Sequence, residues 1–379
     1  MGNRTPAEVF APGEFIAEEL EARNWSQIEL AEVLGRPPRL ISQLITGKCS
    51  ITPETAKGLG AAFGTGAEFW MNLERDYRLA HAIHDDATVE RRSRLYAMAP
   101  VKEMVNRRWI EPSDNIEVLE KRVLDFLHIQ NLNETPSLAH AAKKGASYAE
   151  VTSAQWAWLF RVIQIAEGIS VPAYSQRGLR EAIGKLERCM FAPEEARQVP
   201  RILAECGVRL VIVERLAQAK IDGACCWLNN SSPIIGMSLR KDRIDNFWFV
   251  LRHEIEHVFQ GDGRAAAIID ADLDGVNAGI GEDLPPEERE ANAAASNFCV
   301  PTDRLISFMK RKHPFYYERD VVAFAQTVTR HPGLVIGQMQ FRLNDYRYLA
   351  KKAALYKIRN HVLPEAIADG WGQEIRVNR

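Results

Sequence analysis

The sequence predicts a mainly α-helical protein with a small β-sheet, the α+β class. Apolar residues recur at three- and four-residue steps through much of residues 13–200, which is the spacing of amphipathic helices. Two short strand-like apolar runs follow, VRLVIV after Gly207 and SPIIGMSL at 232–239, before helical spacing resumes at Asn246. The 379 residues also exceed one domain of roughly 100–200 residues. We therefore expect four segments: 1–80, a helical connector at 81–200, a third domain at 201–350, and a tail at 351–379.

Composition excludes several classes of protein. The chain is 46% hydrophobic and 26% charged with a formal net charge of −2, so it is neither disordered nor a bulk polycation. No apolar run reaches the roughly 18–20 residues that span a bilayer, and the first residues lack the apolar core of a secretion signal. The six cysteines are scattered without a CxxC pair, which favours reduced thiols. We expect a soluble cytoplasmic protein with no membrane partner.

The first segment, residues 1–80, contains the pattern of two short helices joined by a tight turn. Ser26, with Glu29 three residues later, forms a capping-box signal. Gly35 is placed to end the first helix in the left-handed conformation. Pro37–Pro38 can begin the second helix, because the first helical turn needs no amide donors. Such a pair of helices lays its second member in the DNA major groove.

Charge supports a DNA-reading role for the second of these helices. Residues 1–80 hold 8 Lys and Arg against 11 Asp and Glu, yet residues 35–53 carry three cations and no acid. Local positive charge attracts phosphates, and outward polar side chains can reach base edges. The predicted DNA contacts in this stretch are Arg36, Arg39, Ser42, Gln43, Thr46 and Lys48. The alternative is a generic helical bundle whose outward residues are merely solvated.

Residues 12–79 resemble the Xre-class helix-turn-helix of HigA-type antitoxins. The matching segments are PGEFIAEELEARNWSQIELAEVLG, LISQLITGK and, most specifically, SITPETAKGLGAAFGTGAEFWMNLERDYRL. The resemblance implies a five-helix domain whose core includes Phe69, Trp70 and Leu73. It implies a homodimer on a palindromic double-stranded DNA operator, with phosphate and base contacts from Gln27, Arg39, Ser42 and Gln43. The chain departs from the family at Pro37–Pro38, where relatives more often have small polar or basic residues.

The third segment contains a metal-binding pattern at residues 252–257, which read RHEIEH. His253 and His257 are four residues apart, so they share one face of a helix and can bind one ion. Glu254 can then accept a proton from a water that zinc acidifies, as metallopeptidases require. The alternative is two histidines on a helix surface.

A third metal ligand is expected on a second helix downstream. Catalytic zinc takes three protein ligands and one water, and Glu288 is placed to complete this set. Asn292, four residues later on the same face, could accept the outer N–H of a ligating histidine. Glu290 points roughly 200° away around the helix, while a shifted helical phase would favour Glu287. The intervening residues, 261–284, are expected to form a loop or a partly disordered flap.

Residues 200–345 resemble the ImmA/IrrE family of metallopeptidases. The matching segments are VRLVIV, IDGACCWL, SPIIGMSLRKDRIDNFWFVLRHEIEHVF and EREANAAASNFCVP. The resemblance implies a zincin-like fold in which an Asp-Gly pair, here Asp222–Gly223, precedes an edge strand. It implies zinc (Zn²⁺), with Glu254 as the general base and with metal ligands at His253, His257 and Glu288. Glu256 departs from the family, which commonly has a small residue there. Either Glu256 is only solvated, or it crowds the site, alters the charge of the site or indicates lost activity.

Two functional hypotheses follow from these patterns. In the first, a DNA-bound zinc endopeptidase cleaves a partner repressor or another regulator. In the second, a HigA-type antitoxin or transcriptional repressor binds DNA and a toxin, and its inactive zincin-like domain serves sensing or protein binding. The connector at 81–200 carries no readable motif, and its tryptophans Trp109, Trp156 and Trp158 are expected to be core residues.

Overall fold

The computed structural model describes residues 9–82, 86–134, 136, 143–144, 151–264, 267–270, 273 and 285–371. These residues are mainly helical with one small mixed sheet, which confirms the predicted class. The chain divides into two compact units, Met1–Ala87 and Thr88–Arg379, hereafter the first and second units. No helix in the described ranges is long and apolar enough to cross a membrane.

The first unit is built from five helices that surround one apolar core. They are α1 (Pro12–Arg23), α2 (Gln27–Leu34), α3 (Pro38–Ile45), α4 (Pro53–Phe63) and α5 (Ala67–His81). A sixth helix, α6 (Asp86–Met98), begins at the boundary with the second unit. The core includes the fully buried side chains of Ile16, Leu30, Ile41, Leu59 and Trp70.

Local sequence signals set the ends of these helices as predicted. The Ser26 hydroxyl accepts from the Glu29 amide at 3.2 Å, and the Glu29 carboxylate accepts from the Ser26 amide at 2.6 Å, which completes the capping box of α2. Gly35 ends α2 in the left-handed region with φ of 62°. Pro38 begins α3. The turn between the two helices therefore follows from local chemistry.

One core expectation in the first unit is wrong. Trp70 is fully buried and donates its indole N–H to the Thr65 hydroxyl at 2.8 Å. Phe69, however, is 39% exposed, since it packs edge-on against Phe15 and Trp70 at the margin of the core. Leu73 is half-buried.

The second unit contains the remaining helices. They are α7 (Val101–Asn106), α8 (Ile116–Phe126), α9 (Ser153–Glu167), α10 (Gln176–Arg188), a 3-10 helix (Pro193–Gln198), α11 (Val199–Glu205), α12 (Ile244–Gln260), α13 (Pro286–Cys299), α14 (Thr302–Lys312), α15 (Glu318–Thr327), α16 (Pro332–Leu343), α17 (Ala350–Ala353) and α18 (Arg359–Val362).

A six-stranded mixed sheet organises this unit. Its strands are β1 (Lys143–Lys144), β2 (Arg209–Val213), β3 (Gly223–Trp227), β4 (Pro233–Met237), β5 (Ile268–Asp270) and β6 (Ile367–Asp369), in the spatial order β1-β5-β3-β4-β2-β6. The predicted strands at VRLVIV and SPIIGMSL are β2 and β4. β3 is antiparallel to both of its neighbours, whereas the other pairs are parallel.

Three expectations about this unit need correction. The family resemblance implies that β3 is an edge strand, but β3 is an interior strand because β5 pairs with it on one side and β4 on the other. Residues 261–284 are expected to form a loop, but their described part contains the strand β5, which ends at Asp270. The tail beyond residue 350, assigned no structure from sequence, adds β6 to the sheet beside β2.

Each face of the sheet is covered by its own layer of helices. Cys225 and Cys226 are adjacent in β3, and their side chains enter different apolar clusters, as the two-residue period of a strand predicts. Side chains of α10 to α16 contribute to the cluster of Cys225. The other cluster is built from α6 to α9, including the buried Trp109, Trp156 and Trp158. The expected helical connector thus supplies most of the second layer.

Candidate functional site

Helix α12 carries the predicted metal-binding pattern on its buried face. His253, Glu254 and His257 are all fully buried. The helix ends at Gly261, which adopts the left-handed region with φ of 75°. This turn returns the chain past the last helical residues, so that Asp262 lies beside His257.

The two imidazoles and Glu288 meet at one point. His253 Nε2 and His257 Nε2 are 3.0 Å apart. Glu288, near the start of α13, places one carboxylate oxygen 3.4 Å from His253 Nε2 and the other 3.6 Å from His257 Nε2. Glu287 and Glu290 of the same helix are both exposed. The structure therefore brings together the three side chains that the sequence singled out.

A fourth side chain, absent from the sequence-based set, joins them. Asp270 at the end of β5 places Oδ2 3.5 Å from His253 Nε2 and 3.8 Å from His257 Nε2. Asp270 is fully buried, and ligand atoms of His253, His257, Asp270 and Glu288 all lie within 4.8 Å of one another. We call these four residues the metal centre.

The geometry of the metal centre fits a zinc ion. Zinc bonds nitrogen and oxygen at about 2.0–2.2 Å in a tetrahedron, whose ligands are then roughly 3.3–3.6 Å apart. The two imidazole Nε2 atoms lie 3.0 Å from each other and 3.4 to 3.8 Å from carboxylate oxygens of Asp270 and Glu288, and one ligand atom from each of the four residues lies within 4.8 Å of the others. The carboxylate oxygens of Asp270 and Glu288 are buried without a hydrogen-bond partner among the described residues. Buried carboxylates without partners are costly unless a cation neutralises them, so the donor set suits a divalent metal.

Electrostatics lead to the same conclusion. Burial disfavours a positive charge on His253, yet the adjacent Asp270 and Glu288 carboxylates raise the pKa of His253 well above its usual value. Burial, together with the charge of Asp270, raises the pKa of Glu288. Burial would also raise the pKa of Asp270, but the charge of the neighbouring imidazoles keeps it below the usual range. The site thus requires positive charge, which protons or a metal would supply.

The outer nitrogen of His257 is held by Asp262 rather than by Asn292. His257 Nδ1 lies 2.9 Å from Asp262 Oδ2, a contact that would leave Nε2 unprotonated for a metal. Asn292 is half-buried on α13 and makes no hydrogen bond to either imidazole within the described ranges. In the same part of the chain, His253 Nδ1 has no hydrogen-bond partner.

Glu254 lies beside the metal centre in a space left by Gly223. A Cβ at Gly223 would overlap the Glu254 carboxylate and lie 2.9 Å from a Val250 methyl group. The Asp-Gly pair before β3 therefore has a packing reason, since glycine makes room for the carboxylate. Burial and then the charge of Asp270 raise the pKa of Glu254 well above its usual range. A carboxyl with a raised pKa suits proton transfer near neutral pH.

Glu256 takes no part in the metal centre. Its carboxylate pairs with Arg252 at 2.6 Å across one turn of α12. Arg252 also lies over the Phe259 ring, 6.0 Å from its centroid. Glu256, the residue that departs from the ImmA/IrrE pattern, therefore forms an ion pair within its own helix. Among the described residues, Glu256 is not part of the cluster that could bind a metal.

In the first unit, α3 and the residues around it carry the predicted DNA-contacting side chains, of which Arg39, Ser42 and Gln43 lie in α3 itself. Ile41 and Leu44 are buried and fix the helix on the core. Six of the seven predicted contacts are exposed, and Gln43 is half-buried; the exposed ones are Gln27, Arg36, Arg39, Ser42, Thr46 and Lys48. The Thr46 hydroxyl donates to the Ser42 carbonyl at 2.8 Å, which closes the end of the helix.

The three cations of this surface, Arg36, Arg39 and Lys48, form no salt bridge among the described residues, although hydrogen bonds and, to a smaller extent, the charge of Arg36 lower the pKa of the Glu54 carboxyl. In contrast, Arg23 and Arg78 of the same unit pair with Glu19 and Glu74. Cations on one exposed surface are what phosphate binding requires.

Sequence reasoning missed Asp262 and Asp270. Asp262 directly follows the glycine that ends α12, and a left-handed helix end returns the chain towards its last turn. That signal could have identified it. Asp270 follows the apolar run AAAII, a weak strand signal, but the pairing of that strand with β3 depends on the whole sheet.

Comparisons with known proteins match part of the chain, and the family profile lies within the first unit. The sequence profile of the helix-turn-helix family matches residues 16–70. The uncharacterized HTH-type transcriptional regulator YddM of Escherichia coli (strain K12) is 38% identical over 71 residues, which are 19% of this chain and 76% of that protein. Virulence-associated protein I of Dichelobacter nodosus is 33% identical over 88 residues, 23% of this chain and 80% of that protein.

A solved structure also overlaps part of the chain. It is an addiction module antidote protein of a HigA family from Coxiella burnetii, 28% identical, which covers 28% of this chain and 99% of its own, with a TM-score of 0.19.

Proposed function

We propose that this chain, which belongs to the helix-turn-helix family through residues 16–70, is a cytoplasmic DNA-binding transcriptional regulator with a zinc-dependent endopeptidase of the ImmA/IrrE kind in its second unit. One observation carries the peptidase half of the proposal. His253, His257 and Glu288 converge at zinc-ligand spacing, and the buried carboxylate of Glu254 lies next to them.

DNA binding is assigned to the first unit. α3 would enter the major groove, where Ser42 and Gln43 would reach base edges and the cations Arg36, Arg39 and Lys48 would contact phosphates. Gln27 at the start of α2 and Thr46 at the end of α3 complete the contact surface. A homodimer would place two such helices on a palindromic operator. The match to the HTH-type transcriptional regulator YddM supports this half of the proposal.

Peptide hydrolysis is assigned to the metal centre. Zinc, when bound, would supply Lewis acidity and make water a nucleophile at neutral pH. His253, His257 and Glu288 would hold the ion, and Asp262 would orient His257. Glu254 would accept the proton of the attacking water and return it to the leaving amine. The substrate would be a protein, such as a repressor or another regulator bound nearby.

A second candidate function is favoured by Asp270. Zinc sites with four protein ligands are commonly structural, whereas catalytic sites keep one position open. If Asp270 is a permanent ligand, the second unit is a metal-stabilised domain without peptidase activity. The chain would then act as a repressor or as an antitoxin that binds a toxin.

A variant of Glu254 separates the two candidates. Glu254→Gln should retain about one zinc per chain by mass spectrometry, because Glu254 is not a ligand. In a reporter strain with the chain's own promoter region, it should lose any regulation that depends on cleavage. Glu256→Gln on the same helix is the matched control and should regulate as the wild type does. Equal regulation by wild type and Glu254→Gln would reject the peptidase.

A further inference from the structure

We infer that Asp270 is a displaceable fourth ligand and that β5 covers the strand edge where a peptide substrate would pair, so that the described arrangement is the latent form of the peptidase. This inference rests on the proposed function of the second unit. It adds how that site is kept closed and what must move before it can act.

The ligand count is the first support. Asp270 Oδ2 lies at 3.5 and 3.8 Å from the two imidazole nitrogens, the same range as the Glu288 oxygens at 3.4 and 3.6 Å. Both carboxylates are buried, and their oxygens have no hydrogen-bond partner in the described part of the chain. With zinc bound, Asp270 would therefore take the fourth ligand position, which a hydrolytic zinc site leaves to water.

Strand pairing is the second support. β5 runs antiparallel to β3, with Gly223 opposite Asp270 and Cys225 opposite Ile268. An extended peptide that binds to an enzyme by strand addition needs the backbone groups of an exposed edge. β5 already pairs with the backbone groups of β3 on one side of that strand. The last residue of β5, Asp270, belongs to the metal centre. One segment therefore blocks both the backbone-pairing edge and the fourth ligand position.

β5 is a short strand. It has three residues, with three register pairs to β3 on one side and two to β1 on the other, so its displacement also releases β1. A short strand contributes few hydrogen bonds, so an extended peptide of greater length can compete with it for the β3 edge. Displacement exchanges the Asp270 carboxylate for a water at the metal, and no covalent bond is formed or broken in the protein.

Asp222 acts as the positioning residue for this segment. Its amide donates to the Asp270 carbonyl at 2.8 Å, and its buried carboxylate accepts from the Leu273 amide at 3.0 Å. Arg240 holds the same carboxylate through two hydrogen bonds, at 2.8 and 3.0 Å. Asp222 thus holds the chain at two points, Asp270 and Leu273.

Cobalt(II) substitution tests the inference without relying on activity. Cobalt replaces zinc, and its visible absorption reports the coordination sphere, so azide can probe for an open position. Azide should leave the spectrum of the cobalt wild type unchanged. In Asp270→Ala, and more weakly in the isosteric Asp270→Asn, azide should bind at least about tenfold more tightly than in the wild type. Glu290→Gln on the exposed side of α13 is the matched control.

Activity gives the second readout. With unfolded β-casein as the probe, zinc-loaded Asp270→Asn should cleave at least about tenfold faster than the wild type, and Asp270→Asn/Glu254→Gln should not cleave. An azide response in the wild type equal to that of Asp270→Ala would show that Asp270 is not a ligand. An open site in Asp270→Asn without faster cleavage would make Asp270 a permanent structural ligand and overturn latency.

The proposed function fails in a different way. If neither the wild type nor Asp270→Asn takes up about one cobalt or zinc ion per chain, the metal centre itself is rejected. Asp222→Asn supplies an independent check on the positioning role. It should bind one metal and respond to azide between the wild type and Asp270→Ala; a wild-type response would remove Asp222 from the inference.

Discussion

The two units carry their chemistry in opposite ways. In the first unit, the candidate DNA contacts are exposed side chains, and the core beneath them contains mainly apolar residues. In the second unit, five charged or titratable groups lie almost fully buried around one point: His253, Glu254, His257, Asp270 and Glu288. Substitutions in a surface site can leave the fold intact, whereas substitutions in a buried charged site also change the free energy of unfolding of its domain.

Loss of zinc should produce the largest change in the free energy of unfolding, and this change should be confined to the second unit. His257→Ala removes one ligand and leaves buried carboxylates without a full partner. We expect loss of bound zinc and a fall of about 3–5 kcal/mol in the free energy of unfolding of the second unit. Zinc analysis and urea unfolding, with hydrogen exchange of α12 to identify the transition, measure both quantities.

Glu256→Gln is the control for this experiment. It alters the same helix, but the Arg252 pair that it weakens is partly exposed, so we expect a change of no more than about 1 kcal/mol. If removal of the metal by a chelator left the unfolding free energy unchanged, the contrast between a structural buried site and a surface site would fail.

Loss of DNA contacts should instead change function without changing stability. Arg39→Ala combined with Gln43→Ala removes one free cation and one base-reading side chain, each worth about 1–3 kcal/mol, so binding to the promoter DNA should weaken by about 100-fold. Fluorescence anisotropy at fixed salt measures it. Arg75→Ala on α5 removes a cation that is paired with Asp76, and it should bind as the wild type does. An unchanged affinity in the double variant would reject the operator surface.

The same contrast explains how much could be predicted from sequence. The capping box at Ser26 and the left-handed Gly35 act over three or four residues, so the turn before α3 was predictable residue by residue. His253 and His257 were predictable for the same reason, because one helical turn joins them. Asp270 reaches the site only when β5 pairs with β3, a contact across more than forty residues of sequence. Spacing along a chain cannot indicate such a pairing.

Helical phase and packing explain the intermediate cases. Glu288 was favoured over Glu287 because of its position on the helix, and the structure buries Glu288 while Glu287 is exposed. The family resemblance implies a core position for Phe69, but α5 can bury only one side, and Trp70 lies on that side. Local rules thus fix the ends and phase of a helix, whereas burial depends on what packs against it.

A matched pair of glycine substitutions sharpens the contrast inside the second unit. Gly223→Ala places a methyl group against the Glu254 carboxylate and Val250, and overpacking of this kind costs about 1–3 kcal/mol. Gly184→Ala on α10 meets no atom within 4 Å and should stabilise the helix by about 0.5–1 kcal/mol. Urea unfolding of the two variants measures both changes. Equal effects would show that Gly223 is not needed to accommodate Glu254.

The smallest effect concerns pH and compares the capping boxes of the two units. In the first unit the box pairs Ser26 with Glu29, and the Ser26 amide and hydroxyl lower the pKa of the Glu29 carboxyl. In the second unit the box of α9 pairs Thr152 with Gln155, which does not titrate. A carboxyl whose pKa is lowered by folding adds stability above its unfolded-state pKa and loses it as the pH falls through the folded-state pKa.

Glu29→Gln tests this sign. At neutral pH the substitution should reduce the protection of α2 amides from hydrogen exchange, because the neutral side chain accepts more weakly. The difference from the wild type should vanish once the pH falls below the lowered pKa of Glu29. Exchange in α9, with its uncharged box, should show no such dependence in either protein, since ratios at each pH cancel the intrinsic exchange rate. A wild-type advantage that persists in acid would mean that the charge of Glu29 contributes nothing to α2, and that the two boxes stabilise their helices in the same way.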